Sequence, residues 1–235
     1  EYPLSAFFVL PTFFLFVLFV QLVTAHPETD KNTSWNYAEL NTAAHVDYLS
    51  SLEKEIILEI NKLRTNPAKY ATEYIAPLAN NYKNKLLYYP GDQPLRTREG
   101  VRALHECVRK LKKQPALSLV HPSAGLSMAA LDHVKDQSGT GRTGHRGSDR
   151  STSRERMERY GEWKVRIAEN IAYGGKSARQ IVIYLLIDDG VPGRGHRKNF
   201  LNPDFNYVGV ATGDHPVYRV MSVMDFAGSY KTMKK

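Results

Sequence analysis

SARQIVIYLLIDDGVPGRGHRKN, residues 177–199, is the stretch whose reading decides the fold. It opens with Ser177-x-x-Gln180, the capping-box spacing that satisfies the first free backbone donors of a helix. Ile181, Leu185 and Asp188 follow at steps of four and three, so all three are expected on one helical face. That face begins apolar and ends in a carboxylate. A buried carboxylate needs a cation, a hydrogen-bond donor or a metal to offset its desolvation. Past a Gly-Val-Pro-Gly turn, eight residues after Asp188, His196 stands between Gly195 and Arg197. An acid closing an apolar face, with a Gly-flanked histidine close behind, has the layout of a built site. The alternative is a solvated Asp-Asp helix end followed by a surface histidine in a loop. The stretch alone leaves both open.

Around it, 235 residues with 42% hydrophobic and 24% charged composition are ordinary for a globular chain and ample for a core. Residues 4–22 are nearly all apolar, Val23-Thr24-Ala25 supplies the small residues a signal peptidase reads, and the chain turns polar at His26. No basic segment precedes the run and the first residue is Glu1, so the true start is expected upstream. Residues 1–25 are read as a cleaved signal peptide, incomplete at its start. The alternative is a retained membrane anchor, because the run approaches the roughly 20 residues a bilayer needs. Either way the domain is expected to be extracellular or to face the secretory lumen. Asn32-Thr33-Ser34 is an N-glycosylation acceptor.

There is one cysteine, Cys107, so no internal disulfide can form and the domain must rely on its core. Cys107 is expected as a half-buried helix thiol and not as the partner of nearby His105. The formal charge is +8, and becomes +9 without residues 1–25, whose only charge is Glu1. Such a balance favours acidic partners, including anionic lipid headgroups and polyanionic glycans. The one local cluster, Arg109-Lys110-x-Lys112-Lys113, reads as a solvated helix face. No nucleic-acid motif accompanies it, and nucleic acid is excluded as a partner.

In chain order, residues 26–46 are polar and patternless and are expected to be a flexible lead-in. Leu52, Ile56, Ile60 and Leu63 give an amphipathic helix stopped by Asn66-Pro67, and Pro67 opens a second helix through Tyr74 and Leu78. Residues 80–93 read as loop. Val101, Leu104, Val108 and Leu111 give a third helix. Another is expected over 123–137, closed by Gly139, with His133 on its core side. A glycine-rich loop holding His145 follows, then a short helix opened by Thr152-x-x-Glu155. Residues 165–173 set Glu169 in an apolar segment. Residues 207–212 and 217–226 read as a hairpin turning at Gly213-Asp214. Helices come first and the clearest strands last, an α+β pattern.

With these pieces placed, four segments resemble the CAP superfamily, also called the SCP domain: Ala130-Leu-Asp-His-Val-Lys-Asp, Gly144-His-Arg-Gly-Ser-Asp, Ala168-Glu-Asn-Ile-Ala-Tyr-Gly and Gly195-His-Arg-Lys-Asn-Phe-Leu-Asn-Pro-Asp-Phe. Val208-Gly-Val-Ala and Asp225-Phe226-Ala227 also fit, in family order. The low cysteine count is similar to the microbial or protist branch. The resemblance implies one domain over 47–230, an α-β-α sandwich with a cleft, followed by a basic tail over 231–235. It also implies a cleft tetrad of two histidines and two acids, which falls by motif on His145, Glu169, His196 and Asp188. The family usually has Glu at the last of these, so Asp188 is a departure, with Asp189 as fallback. Arg150 is a second departure, because relatives often carry Gly there.

Two imidazoles and two carboxylates are donors suited to Zn²⁺, though another divalent cation is possible; the acids could ligate or could orient the imidazoles. The alternative is a hydrogen-bonded His/carboxylate cluster without metal. His133 is expected as a packed neighbour of the site. Two functions follow. One is an extracellular binding module for lipid, sterol, an anionic membrane surface or an extracellular protein. The other is a metal-assisted hydrolase (peptidase or esterase) with Glu169 as general base, and Asp188 beside it in the catalytic set. No G-x-S-x-G elbow or H-E-x-x-H helix supports the hydrolase, so the binding module is preferred.

Overall fold

A computed structural model describes residues 35–233. The apolar segment expected as signal peptide or anchor, the Asn32 sequon and the last two lysines lie outside the described residues.

The fold is an α-β-α sandwich. Its middle layer is a four-stranded sheet in the order β4-β6-β7-β5, made of His121–Pro122 (β4), Tyr207–His215 (β6), Arg219–Thr232 (β7) and Gly161–Tyr173 (β5). β6 and β7 are antiparallel neighbours, β5 runs antiparallel to β7 at one edge, and β4 runs parallel to β6 at the other. Alternate residues of each strand serve opposite faces. Val208, Val210, Met224 and Phe226 pack under Ser51–Thr65 (α2), Val101–Leu111 (α4), Ala178–Ile187 (α7) and Gly195–Phe200 (α8). Ala211, Met221, Val223 and Ala227 pack under Ala124–Thr140 (α5) and Ser153–Glu158 (α6). Tyr37–Leu40 (α1), Pro67–Tyr70 (α3), two short helical segments at Ala71–Ile75 and Ala76–Asn81, and a small ladder of Tyr82–Lys83 (β1), Leu86–Leu87 (β2) and Leu95–Arg96 (β3) complete the described elements.

Local chemistry explains the helix limits. Ser50 and Glu53 form a reciprocal capping box on α2, and Asn66 ends that helix while its side chain caps α3, with Pro67 at the first turn. Arg64, at the end of α2, is wholly buried and donates to the carbonyls of Ser118, Phe200, Asn202 and Phe205 at 2.8–2.9 Å. Burial without a carboxylate lowers its pKa to about 10. This one guanidinium ties α2 to the segment that leaves α8. On the opposite face α5 lies directly on β6: a Cβ added at Gly209 would meet the Leu126–Ser127 backbone, so only glycine admits that approach.

Several expectations need correction. The segment 35–46 is packed rather than flexible, with Trp35, Leu40 and Ala43 in the main core. Asn61 holds it there, donating to Leu40 O at 2.9 Å and Thr42 Oγ1 at 3.1 Å. α5 continues to Thr140 and is closed by Gly141, not Gly139, in the left-handed conformation at φ 66°. Gly213 and Asp214 pair with Met221 and Val220 inside the hairpin, and the turn is Pro216–Val217–Tyr218. Lys231 and Thr232 belong to β7 and are not tail. Cys107 is fully buried, and burial pushes its thiol up to about 12, which leaves it unreactive.

Candidate functional site

Two histidine–carboxylate pairs flank the edge strand β5. The first is His145, on the loop between α5 and α6, with Glu169 of β5. His145 Nδ1 lies 2.8 Å from Glu169 Oε1, and the other carboxylate oxygen receives Arg156 Nη2 at 2.6 Å. Glu169 and Arg156 are buried, whereas the His145 side chain is 57% exposed. Burial pushes the Glu169 carboxyl up, but the His145 hydrogen bond and the Arg156 charge outweigh it, and its pKa is below the usual range.

The loop is shaped for this contact. Gly144, at φ 100°, donates its N–H to the Tyr173 hydroxyl at 2.7 Å, and its carbonyl accepts from His133 Nε2 at 2.8 Å and Gln137 Nε2 at 2.7 Å. His133 is therefore a buried support of the loop, beside the first pair and not in contact with solvent. Arg150 adopts φ 69°, the left-handed geometry that glycine would take there, so this departure leaves the loop shape intact. Arg156 binds the His145 carbonyl at 3.2 Å as well as Glu169, gripping both halves of the pair.

The second pair is His196 with Asp188. Asp188 does not continue the face of Ile181 and Leu185, because it is the C-cap of α7 in the left-handed conformation at φ 54°. Aspartate tolerates that geometry better than most residues. The reversal aims its carboxylate at the next element: Oδ1 lies 2.7 Å from His196 Nδ1 and Oδ2 accepts the His196 N–H at 3.0 Å. Asp189, the fallback, instead accepts the backbone N–H groups of Arg98 and Glu99. The Ser177/Gln180 capping box is half formed, since Ser177 caps Gln180 N while the Gln180 side chain takes Lys176 N.

Glu169 and Asn170 are successive strand residues and point to opposite faces. Glu169 meets His145 and α6, while Asn170 donates to His196 O at 3.1 Å and accepts from Asn199 at 2.8 Å. The His145 pair thus sits on the α5–α6 side of β5 and the His196 pair on the α7–α8 side, linked through one dipeptide. Sequence reasoning named these four residues as one tetrad, and the structure arranges them as two pairs; it did not name Arg156, Asn170 or Asn199. The two asparagines lay in plain view inside the quoted motifs. Arg156 did not, because Arg154, Arg156 and Arg159 read alike on a short polar helix.

Both oxygens of each carboxylate are engaged, Glu169 by His145 and Arg156 and Asp188 by two atoms of His196. This argues for the acids as orienting groups and against their use as ligands. Among the described residues no group of three or more His, Cys, Asp or Glu side chains is arranged to hold a metal ion. What the donor set offers a metal is Nε2 of His145 and of His196, because each Nδ1 is bound to a carboxylate; this is the usual outer-shell arrangement of a metal-binding imidazole.

The sequence profile of the cysteine-rich secretory protein (CAP) family matches residues 57–226. No curated protein sequence matches the chain. Among solved structures, an extracellular SCP-domain protein of Bacillus anthracis is similar at 24% identity and TM-score 0.38, over 53% of this chain and 37% of that one. An outer surface protein of Borrelia burgdorferi has 18% identity and TM-score 0.41, over 52% of this chain and 84% of that one. A cysteine-rich secretory protein of Staphylococcus aureus has 14% identity and TM-score 0.35, over 58% of this chain and 41% of that one. The chain thus spans well under two thirds of the Bacillus and Staphylococcus proteins. Among the described residues no helix is long and apolar enough to cross a membrane. With its profile match extending over more than half of the sequence, the chain belongs to the cysteine-rich secretory protein (CAP) family.

Proposed function

We propose that the domain is an extracellular binding module, with His145 and His196 as its metal-dependent contact site. The observation that carries this reading is the commitment of Glu169. A general base must be free to take a proton, but Glu169 is held between His145 and Arg156, and Arg156 lowers its affinity for that proton. The same contacts suit an orienting group. Zn²⁺ or another divalent cation would be met at Nε2 of His145 or of His196, where it would act as a Lewis-acidic contact for a ligand group. One imidazole on each side of β5 is fewer than the three protein ligands of ordinary catalytic zinc sites, which favours a metal taken up together with the ligand.

For the ligand itself, lipid or sterol is supported by an apolar groove of about 230 Å³ beside α5 and β6, lined by Tyr48, Met128, Leu131 and Val210. An anionic membrane surface or an extracellular protein is the other partner class, supported by the +8 charge. The metal-assisted hydrolase is the weaker reading, because the carboxylates beside the two imidazoles, Glu169 and Asp188, are already engaged.

The test is a calorimetric Zn²⁺ titration of the wild-type chain and of the His145→Ala/His196→Ala variant at neutral pH. Binding by the wild type and none by the variant is expected. Equal binding by both would remove the histidines from the site. Peptide or ester hydrolysis by the wild type that Glu169→Gln abolishes would replace the binding module with the hydrolase.

A further inference from the structure

The strongest unassigned feature is a groove of about 260 Å³ between α4 and α8. Glu106, Lys110 and Gln114 form one wall, and Arg194, Arg197 and Lys198 the other. Its acids are already neutralised. Glu106 accepts two bonds from Arg197, at 2.7 and 2.8 Å, and lies 3.3 Å from Arg194 Nε. Glu99, at the groove's end, takes Arg194 at 2.6 and 2.8 Å, which lowers its pKa to about 2. The two arginines and two glutamates cancel and form a fixed floor.

Lys110 and Lys198 remain, exposed and without a carboxylate within 4 Å among the described residues. Arg102 and Arg109, seven residues apart, share a row on α4, and Lys112 and Lys113 follow just past its end, all exposed and without a carboxylate within 4 Å among the described residues. Arg102 to Lys110 alone spans about 12 Å at the helical rise. Six exposed cations beside a concave groove complement a ligand that carries several anionic groups in a row. A bilayer is disfavoured by the neighbourhood: the exposed large apolar residues, among them Tyr48, Leu131, Val165 and Val217, lie on neither α4 nor α8, so nothing there would insert into lipid.

We propose that the α4–α8 groove and its basic stripe bind a linear sulfated polysaccharide. This site uses neither His145 nor His196 and stands apart from the metal-dependent reading. The probe is a heparin decasaccharide, titrated calorimetrically at 50 and 150 mM NaCl. Lys110→Glu/Lys198→Glu is compared with Lys135→Glu/Lys164→Glu, which makes the same charge change at exposed positions of α5 and β5. Thermal melts of both variants confirm that they fold.

Binding that weakens with salt is expected, with a loss of about tenfold or more for the groove pair and under about threefold for the control pair. His145→Ala/His196→Ala is expected to bind as the wild type does. Equal losses for the two lysine pairs would reduce the effect to net charge and overturn the proposal. So would no heparin binding, and so would binding only to vesicles of phosphatidylcholine and phosphatidylglycerol, which would assign the face to a membrane.

Discussion

Asp225 lies in the middle of the sheet, in register with Glu169 on one side and Gly209 on the other. It is fully buried, and neither of its oxygens has a hydrogen-bond donor among the described residues. Burial, reinforced by the neighbouring Glu169 charge, pushes its pKa well above the ordinary carboxylate range. Burial therefore favours the neutral form of Asp225 in the folded protein, which can donate its proton toward Glu169. The unfolded chain, by contrast, gives that proton up near pH 4. The sign of the linkage follows. A carboxyl with a raised folded pKa contributes its stability below the unfolded value, and that contribution is lost as pH rises toward the folded value. Asp225→Asn keeps a neutral donor of the same shape and removes the titration. At pH 7.5 it is expected to stabilise the fold by about 1–3 kcal/mol, with the gain shrinking toward pH 4.5. Thermal melts of both proteins at the two pH values measure it. A gain that does not depend on pH would show that Asp225 is not held neutral.

β5 illustrates what an element adds beyond its residues. Its inner half carries Glu169 and Asn170 in an unbroken ladder with β7, while its outer half breaks register between Lys164 and Ile167. Val165 stands in this bulge at φ 74° and is 75% exposed. A β-branched residue in the left-handed region is strained, and its exposed side chain gains little from packing. Val165→Gly is expected to relieve about 1–2 kcal/mol of strain, against roughly 0.5–1 kcal/mol of added backbone entropy. The net gain corresponds to a rise of about 1–4 °C in the melting temperature. An unchanged or lower melting temperature would mean that the bulge is not strained at Val165. Apolar periodicity made α2, α4 and α7 readable, because a buried helical stripe repeats over several turns. The bulge was not readable, since Trp163 to Arg166 alternates in no clear way. The hairpin turn was misplaced for a different reason: Gly213 is small because a Cβ there would press on Val134 of α5, not because the chain turns.

For the whole molecule, the two His–carboxylate contacts were legible as far as the four residues that make them and no further. His145, Glu169 and His196 stood in motifs, and Asp188 was found although its helical-face rationale failed, since a left-handed cap and not helix register aims it. The buried cation that fixes Glu169 comes from another element, a tertiary pairing that local pattern does not encode. The domain's beginning was hidden in the same way. The segment 35–46 has no periodicity, yet Trp35 packs on Tyr74, Leu40 and Ala43 are buried, and Asn61 of α2 spends its amide on Leu40 O, Thr42 Oγ1 and Val120 O. A chain that starts at Asp47 exposes that core and leaves Asn61 with one of these three acceptors. Burial of Trp35 and Leu40 at about 1.5–3 kcal/mol each, with part of the Asn61 bonding, gives a loss of roughly 4–6 kcal/mol relative to a chain that starts at Trp35. Domains of this kind have about 5–15 kcal/mol in total, so the shorter chain is expected to be marginal or unfolded at 37 °C. Urea unfolding of the two chains decides it. Matching midpoints would mean that 35–46 rests on the surface of an already complete core, and a large drop for the shorter chain would make 35–46 part of the domain.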